Sequence, residues 1–295
     1  MKKFHFHVGS ERCGSTLVQS FFNEPSVGQI LQRFGIRFDA ALYLEIGKLL
    51  PLGPDDDARL RELRDRCVAG YREEGAPVPF STHEVFLGLS HAKGEVNQTG
   101  FMCACLKTLL SGFEVRPLIV LRRQDTFIES LYNQLLKRGE TREFSRFLDE
   151  LPLDNYRWDR VVDTFAENFG KNSLSVVPFE RKVTASAGFD NYLNAIFGAL
   201  EMPINVDMAS VPVMNPSISP RALEVQRLAN RLLTPEEAHG LADWLESNVP
   251  KRPSDGHALM SDGQRADLIA YFTESNRRLF ATYMPAYAVE GYLSA

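Results

Sequence analysis

The chain has 295 residues, of which 44% are hydrophobic and 24% are charged, and its formal net charge is −5 at pH 7. This composition is typical of a globular protein and excludes a disordered chain. The acidic balance argues against a nucleic-acid partner, because nucleic-acid-binding surfaces carry a clustered excess of lysine and arginine, so any anion-binding site should be local.

The first residues carry no targeting signal that the sequence reveals. Residues 1–3 lead directly into FHFHV, where two histidines interrupt the apolar residues, so no signal-peptide core is predicted. The chain has no run of about 18 uncharged apolar residues, so we expect no transmembrane segment. We therefore expect a cytoplasmic enzyme.

The first predicted strand covers Phe4–Val8, which alternates aromatic residues with histidine. The loop after it, HVGSERCGST (residues 7–16), contains two glycines and leads into a helix predicted over Ser15–Phe22. A helix N-terminus offers unpaired N–H groups and the positive end of the helix dipole to an anion. The order of strand, loop and helix therefore predicts an anion-binding loop, here called the glycine loop (residues 9–16).

The charge of the glycine loop lies in an unusual place. In the nucleoside-triphosphate version, G-x-x-x-x-G-K-[ST], a lysine follows the second glycine and reaches the outer phosphates. Here Ser15 follows Gly14, and the only cation of the loop is Arg12. The pattern predicts a phosphate cradle without the lysine of the triphosphate-binding proteins.

Predicted strands alternate with predicted helices through residue 200. We interpret residues 28–50 as partly helical and residues 55–74 as a solvated helix. Further strands are predicted in Pro77–Thr82, in RPLIVLRR (116–123) and in SLSVVPFE (173–180). Further helices are predicted over 95–110, 125–138, 155–169 and 186–200.

The alternation predicts an α/β fold, a three-layer sandwich with a central parallel sheet. Three more helices are predicted over 219–233, 235–248 and 261–283, which would form a helical C-terminal extension. We expect a single domain over 1–295, with its core in 1–200 and the helical part in 201–295.

The strand in RPLIVLRR ends in Arg122 and Arg123. In kinases and triphosphate hydrolases of the glycine-loop class, a strand of this kind ends in an acid that helps to hold Mg²⁺. Two arginines would repel a metal ion and attract a phosphate. The glycine loop and the strand end thus each lack a residue that the triphosphate-binding proteins use, the lysine in the loop and the acid after the strand.

These segments resemble the sulfotransferases that use 3′-phosphoadenosine 5′-phosphosulfate. R12-C13-G14-S15-T16 is similar to the family's 5′-phosphosulfate loop, whose core reads [KR]-[ST]-G-[ST]-T. Arg122 and Ser130 resemble its 3′-phosphate-binding pair, and VVPFE resembles the strand whose last aromatic residue, here Phe179, packs on adenine. The resemblance extends loosely over residues 4–200, and the helical tail is compatible with bacterial members.

The resemblance implies a P-loop-like fold, 3′-phosphoadenosine 5′-phosphosulfate as the sulfuryl donor and no metal. It implies electrostatic stabilisation by Arg12, since arginine does not readily give up a proton. The implied donor-binding residues are Arg12, Cys13, Gly14, Ser15, Thr16, Arg122, Ser130 and Phe179. The acceptor would be a hydroxyl or amine on a small molecule, a carbohydrate or a lipid, and the oligomeric state is not readable from the sequence.

The acceptor must lose a proton, and FSTHEVF supplies two candidate bases, His83 and Glu84. If the backbone stays extended, the two side chains point to opposite faces, and only one can enter the cleft. Members of the family use either residue type, and the S-x-E strand end favours Glu84. His5 and His7 stay as alternatives, although on a buried strand we expect them to be packed core histidines.

Several of these residues have simpler interpretations. Arg12 could be a surface cation, Arg123 a solvated or salt-bridged one, and Phe179 a core aromatic residue. Gln134 and Lys137 share the helix face of Ser130, so a cofactor role is open for both, and MNPSIS around Asn215 receives no role. The four cysteines, Cys13, Cys67, Cys103 and Cys105, lack the spacing of a disulfide framework or a zinc site, so we expect reduced thiols.

Two other functions are open at this point. A small-molecule kinase of the glycine-loop class would bind ATP with Mg²⁺, and the missing lysine at Ser15 counts against it. A non-catalytic nucleotide-binding protein would keep the cradle without the base.

Overall fold

The computed structural model describes residues 1–9, 12–88, 97–207, 218–249 and 259–294. At its centre lies a parallel five-stranded sheet with the order β2-β3-β1-β4-β5. The strands are β1 (Lys3–Gly9), β2 (Ile36–Phe38), β3 (Val78–Thr82), β4 (Glu114–Leu121) and β5 (Ser175–Pro178).

Helices flank this sheet and continue beyond its last strand. They are α1 (Ser15–Phe22), α2 (Pro25–Arg33), α3 (Ala40–Leu49), α4 (Asp57–Leu63), α5 (Thr99–Leu109), α6 (Gln124–Lys137), α7 (Phe144–Glu150), α8 (Trp158–Phe169), α9 (Arg181–Ser186), α10 (Tyr192–Ala199), α11 (Pro220–Ala229), α12 (Pro235–Asn248), α13 (Asp262–Tyr283) and α14 (Glu290–Leu293). The predicted α/β fold with a central parallel sheet and a helical C-terminal region is confirmed.

The central strands are apolar because both of their faces are covered. Residues 118–121 of β4 are buried, as expected for a parallel strand between two layers of helices. In β1 the phenylalanines and the histidines are all buried. One apolar core extends from Phe4 to Tyr292 and includes residues of α11, α12 and α13.

The strand order places two loops side by side. After β1 the chain builds β2 and β3 on one side of β1, and then β4 and β5 on the other. Ligands of open α/β sheets bind at the carboxyl ends of the strands where this order reverses. Gly9 at the end of β1 lies opposite Val120 of β4, so the glycine loop and the arginines after β4 leave the sheet at one edge.

Residues 28–50 are partly helical, as predicted, because they contain the end of α2 and the whole of α3. They also contain the short strand β2, which was not predicted, since three residues are too few to show a periodicity. The predicted helix over 55–74 is α-helical only as far as Leu63. The chain continues as a π-helical turn to Val68 and a 3₁₀ turn to Arg72. In 186–200 the helix begins only at Tyr192, where the side chain of Asn191 caps it.

The C-terminal helices are attached to the sheet layer by buried polar contacts. Gln124 of α6 donates to Asn276 of α13 over 2.9 Å, and Arg265 of α13 pairs with the buried Asp125.

None of the helices in the described part of the chain has the length and apolar character needed to cross a membrane.

Candidate functional site

The glycine loop turns sharply before α1. Arg12 has a φ of 72° and Gly14 a φ of 76°, the left-handed region that costs a non-glycine residue about 1–2 kcal/mol. A Cβ atom on Gly14 would lie 3.0 Å from Cε2 of Phe179 and would overlap the hydroxyl of Tyr192. Glycine is therefore required at 14 both by backbone conformation and by close approach.

The N-terminus of α1 opens toward the same place. Gly14 is its N-cap, and among the described residues no side chain caps this end, so its first N–H groups remain for an anion. Ser15 is buried at the turn and Thr16 is exposed. The hydroxyl of Tyr192 donates to the carbonyl oxygen of Gly14 over 3.4 Å and so contacts the turn directly.

We expect Gly14→Ala to lower the free energy of unfolding by at least about 1–2 kcal/mol, because alanine is strained at this φ and meets Tyr192. Urea denaturation measures the change. The matched control is Gly28→Ala in α2, where a Cβ atom meets nothing within 4 Å and should stabilise the helix by about 0.5–1 kcal/mol. Equal effects of the two substitutions would contradict this account of the loop.

The side chain of Arg12 reaches α6. Its Nε donates to Oγ of Ser130 over 2.9 Å, and its Nη1 donates to Oε1 of Gln134 over 3.1 Å. Its carbonyl oxygen accepts a hydrogen bond of 3.1 Å from Nη1 of Arg122. The structure thus brings Arg12, Arg122 and Ser130 together, with Gln134 beside them.

Arg122 lies between the loop and an aromatic pair. Its Nε donates to Oγ1 of Thr126 over 3.1 Å, and its Cζ lies 5.4 Å from the centre of the Phe179 ring, which is the range of a cation–π contact. The Phe179 ring is in turn 4.9 Å from that of Tyr192. Among the described hydrogen bonds, Ser130 accepts from Arg12. The hydrogen-bond partner of Arg122 on α6 is Thr126.

The neighbouring Arg123 is already neutralised. Its Nε and Nη2 donate to the two carboxylate oxygens of Asp125 over 2.6 and 2.8 Å. Burial alone would raise the pKa of Asp125, but hydrogen bonds from Arg123 and Arg265 hold it below its ordinary value. The described part of the chain provides no salt bridge for Arg122. Of the two arginines, Arg122 is therefore the cation left for a ligand.

A cavity of about 1350 Å³ opens beside these residues. It is larger than the roughly 300–1,000 Å³ of typical small-molecule sites. Its wall combines cations, aromatic rings and short polar side chains with three carboxylates, those of Glu180, Asp190 and Asp207. The cations and rings are Arg122, Arg123, Arg181, Lys182, Phe179 and Tyr192. Phe179 is partly buried and faces this space, so it is not solely a core residue.

The two candidate bases occupy different environments. β3 ends at Thr82, and a short 3₁₀ turn begins at Glu84, so the backbone is extended only as far as His83. His83 is 4% exposed, burial lowers its pKa to about 4, and its Nδ1 accepts the N–H of Val85 over 3.2 Å. Glu84 is partly exposed, and its Oε2 accepts from Nε2 of Gln19 on α1 over 3.1 Å.

His5 and His7 are buried in β1. Burial lowers the pKa of His5 to about 4 and that of His7 to about 3. Nδ1 of His7 lies 2.8 Å from Oγ1 of Thr82, and its ring would contact a Cβ atom on Gly9. Both histidines are packed core residues, as expected.

We expect the free energy of unfolding to fall as the pH drops from about 6.5 toward 4. His5, His7 and His83 titrate near 6.5 when unfolded, but burial lowers their pKa values to about 4, 3 and 4 in the fold. The unfolded chain thus takes up protons first, and each histidine costs about 1.4 kcal/mol per pH unit in that window. Above the unfolded value their contribution is complete.

Urea denaturation at about pH 7, 6 and 5 measures this slope. His83→Gln removes one of the three buried histidines and should make the slope shallower. A free energy of unfolding that stays constant across this range would contradict the prediction.

Of the remaining predicted residues, Cys13 belongs to the glycine loop, and the others lie outside the site or outside the described residues. Lys137 pairs with Glu246 of α12, so it serves packing between helices. Cys13, Cys103 and Cys105 are buried, Cys67 is partly buried, and all four are free thiols. Among the described residues no group of three or more His, Cys, Asp or Glu side chains could hold a metal ion. Asn215 and the rest of MNPSIS fall outside the described residues.

The sequence matches no known protein-family model and no curated protein. The structure is similar to a crystal structure of a sulfotransferase from Alicyclobacillus acidocaldarius, with 15% sequence identity, coverage of 95% of each chain and a TM-score of 0.42. At this identity and this TM-score the likeness carries no conclusion about chemistry, which has to come from the chain's own residues.

Three residues of the site, Thr126, Tyr192 and Gln19, were not predicted from the sequence. Thr126 lies one helical turn from Arg122, a spacing that could have indicated its role. Tyr192 meets Gly14 only through the fold, because 178 positions separate them. No sequence pattern indicated a contact between Gln19 and Glu84, apart from the position of Gln19 in the predicted helix α1.

Proposed function

We propose that the protein transfers a sulfuryl group from 3′-phosphoadenosine 5′-phosphosulfate to a hydroxyl or amine of a small molecule, carbohydrate or lipid, without a metal ion. One observation carries this proposal. Arg122, which forms no salt bridge among the described residues, donates a hydrogen bond to the carbonyl oxygen of Arg12 just before α1 and lines a cavity beside Phe179. This arrangement suits an adenine nucleotide with an anionic group at each end.

The donor would lie with its two anionic ends at separate cations. Arg122 would hold the 3′-phosphate, with Ser130 in reach on α6, and the rings of Phe179 and Tyr192 would contact the adenine. The 5′-phosphosulfate would occupy the N-terminus of α1, where backbone N–H groups and the helix dipole favour an anion. Cys13, Gly14, Ser15 and Thr16 would form that cradle.

In the transfer step the acceptor oxygen or nitrogen attacks the sulfur, and the bond from sulfur to the bridging phosphate oxygen breaks. The electron pair of that bond leaves with adenosine 3′,5′-bisphosphate. Arg12 would stabilise the charge on the leaving phosphate, because a guanidinium stays charged and binds two oxygens at once. Its hydrogen bonds to Ser130 and Gln134 hold the side chain between the glycine loop and α6.

Glu84 is the residue that would accept the acceptor's proton. Its contact with Gln19 places the carboxylate next to α1, the helix that begins at the donor cradle. His83 is a weaker candidate, because its ring is buried and Nδ1 accepts the Val85 N–H.

The continuous apolar core supports the further proposal that residues 1–295 form one domain.

Thermal unfolding with adenosine 3′,5′-bisphosphate in EDTA tests the donor site. A ligand at 100 times its Kd adds about 2.7 kcal/mol to the free energy of unfolding, so the melting temperature should rise without metal. ATP with Mg²⁺ should have little effect. Stabilisation by ATP with Mg²⁺ alone would refute the proposal in favour of a kinase. Bisphosphate binding without transfer to any hydroxyl or amine acceptor would favour a non-catalytic protein.

A further inference from the structure

Residues 290–294, here called the wall segment, form one side of the cavity. Gly291 and Ser294 line it together with Arg123. The carbonyl oxygens of Gly291 and Ser294 accept hydrogen bonds from Nη1 of Arg123 over 3.2 and 2.6 Å. The wall segment therefore contacts the cavity through backbone groups that no side-chain pattern in the sequence reveals.

The wall segment also reaches the end of β4, and Arg123 connects this place to a residue just beyond β5. Tyr292 is fully buried, and its hydroxyl donates to the carbonyl oxygen of Leu121, the last residue of β4, over 3.0 Å. The N–H of Arg123 donates to Oε1 of Glu180, just beyond β5, over 2.6 Å. Strand end, arginine and wall segment thus form one hydrogen-bonded unit.

This unit surrounds the two residues that would hold the nucleotide. Arg122 lies between Leu121 and Arg123, both of which the wall segment contacts directly. Phe179 precedes Glu180, which is bonded to the N–H of Arg123. A shift of the wall segment would therefore move Arg122 and Phe179, although it touches neither in these contacts.

The wall segment fits against α9 without spare room. A Cβ atom on Gly291 would overlap Cγ2 of Val183. Val183 is buried and follows Arg181 and Lys182, which line the same cavity. Only a residue without a side chain fits at 291 while Val183 is present.

We propose that the wall segment sets the affinity for the nucleotide by positioning Arg122 and Phe179, an inference that rests on the proposed function. Gly291, Tyr292 and Arg123 are positioning residues in this scheme, because they act on the ligand through Leu121, Arg122 and Phe179. The wall segment belongs to the binding site although it supplies no charged group to it.

The test is a double-mutant cycle of Gly291→Ala and Val183→Ala, read by the Kd for adenosine 3′,5′-bisphosphate in calorimetric titration. Gly291→Ala should raise the Kd about tenfold, within the range of coupling between contacting residues. Adding Val183→Ala removes the overlapping methyl group and should return the Kd to that of Val183→Ala alone. An unchanged Kd in folded Gly291→Ala protein would overturn the inference.

Two further measurements keep the test decisive. If Gly291→Ala does not fold, Tyr292→Phe replaces it. This variant loses the hydroxyl contacts with Leu121 and Glu180 and should raise the Kd several-fold. An unchanged Kd in the folded variant would overturn the inference. If the unsubstituted protein does not bind the bisphosphate, the proposed function fails. The positioning role then depends on hydrogen exchange at the Arg123 amide, which should accelerate in Gly291→Ala and recover in the double variant. Unaltered exchange would overturn it.

Discussion

Replacing Arg122 with alanine should weaken binding of adenosine 3′,5′-bisphosphate by roughly 30- to 1,000-fold, the range for a desolvated arginine that anchors a ligand. Four interactions disappear together. The ligand loses its cation, Phe179 loses the guanidinium above its ring, and the carbonyl of Arg12 and the hydroxyl of Thr126 each lose a hydrogen-bond donor. Calorimetric titration measures the change, and the stability of the apoprotein is followed alongside.

Arg122→Lys separates charge from geometry. Lysine keeps the charge but cannot bridge two oxygens with a planar fork, so we expect a Kd between those of the unsubstituted protein and Arg122→Ala. Arg277→Ala serves as the control, because that side chain is 60% exposed on α13. A bisphosphate affinity that survives Arg122→Ala would mean that another group holds the nucleotide.

Replacing Glu84 with glutamine should slow sulfuryl transfer by about 10²- to 10⁴-fold, the usual contribution of a positioned general base. Glutamine keeps the size of the side chain and can still contact Gln19, so the Kd for the bisphosphate should stay constant. The measurement is the single-turnover rate from 3′-phosphoadenosine 5′-phosphosulfate to an accepted hydroxyl or amine, compared with bisphosphate titration of the same variant.

Two other variants complete this experiment. Glu62→Gln changes an exposed glutamate on α4 and should leave the rate unaltered. His83→Gln should affect the rate mainly through the turn that its Nδ1 caps. Full activity in Glu84→Gln with loss of activity in His83→Gln would transfer the role of base to His83.

The parts of the fold that could be predicted from the sequence are those governed by local patterns. The apolar run of β4 predicts a strand covered on both faces, and the hydroxyl residues after Gly14 predict the start of α1. β2 could not be predicted, because its three residues form a strand only through pairing with β3.

The candidate site was predictable only in outline. Arg122 and Arg123 cannot be distinguished as neighbours in the sequence. Their roles differ because Asp125 neutralises only Arg123, which also donates hydrogen bonds to the carbonyl oxygens of Gly291 and Ser294. The contact of Arg12 with Ser130 and Gln134 spans more than a hundred positions. Side-chain partners of this kind follow from tertiary structure, which no local pattern encodes.

The hydrogen bond from Arg122 to the carbonyl of Arg12 joins residues 110 positions apart. Bringing together residues so far apart costs the entropy of closing the intervening chain. The unfolded chain therefore contains no complete anion site. A nucleotide that requires both arginines would bind only the finished structure, and its presence in the cell would shift newly made chains toward the native state by mass action.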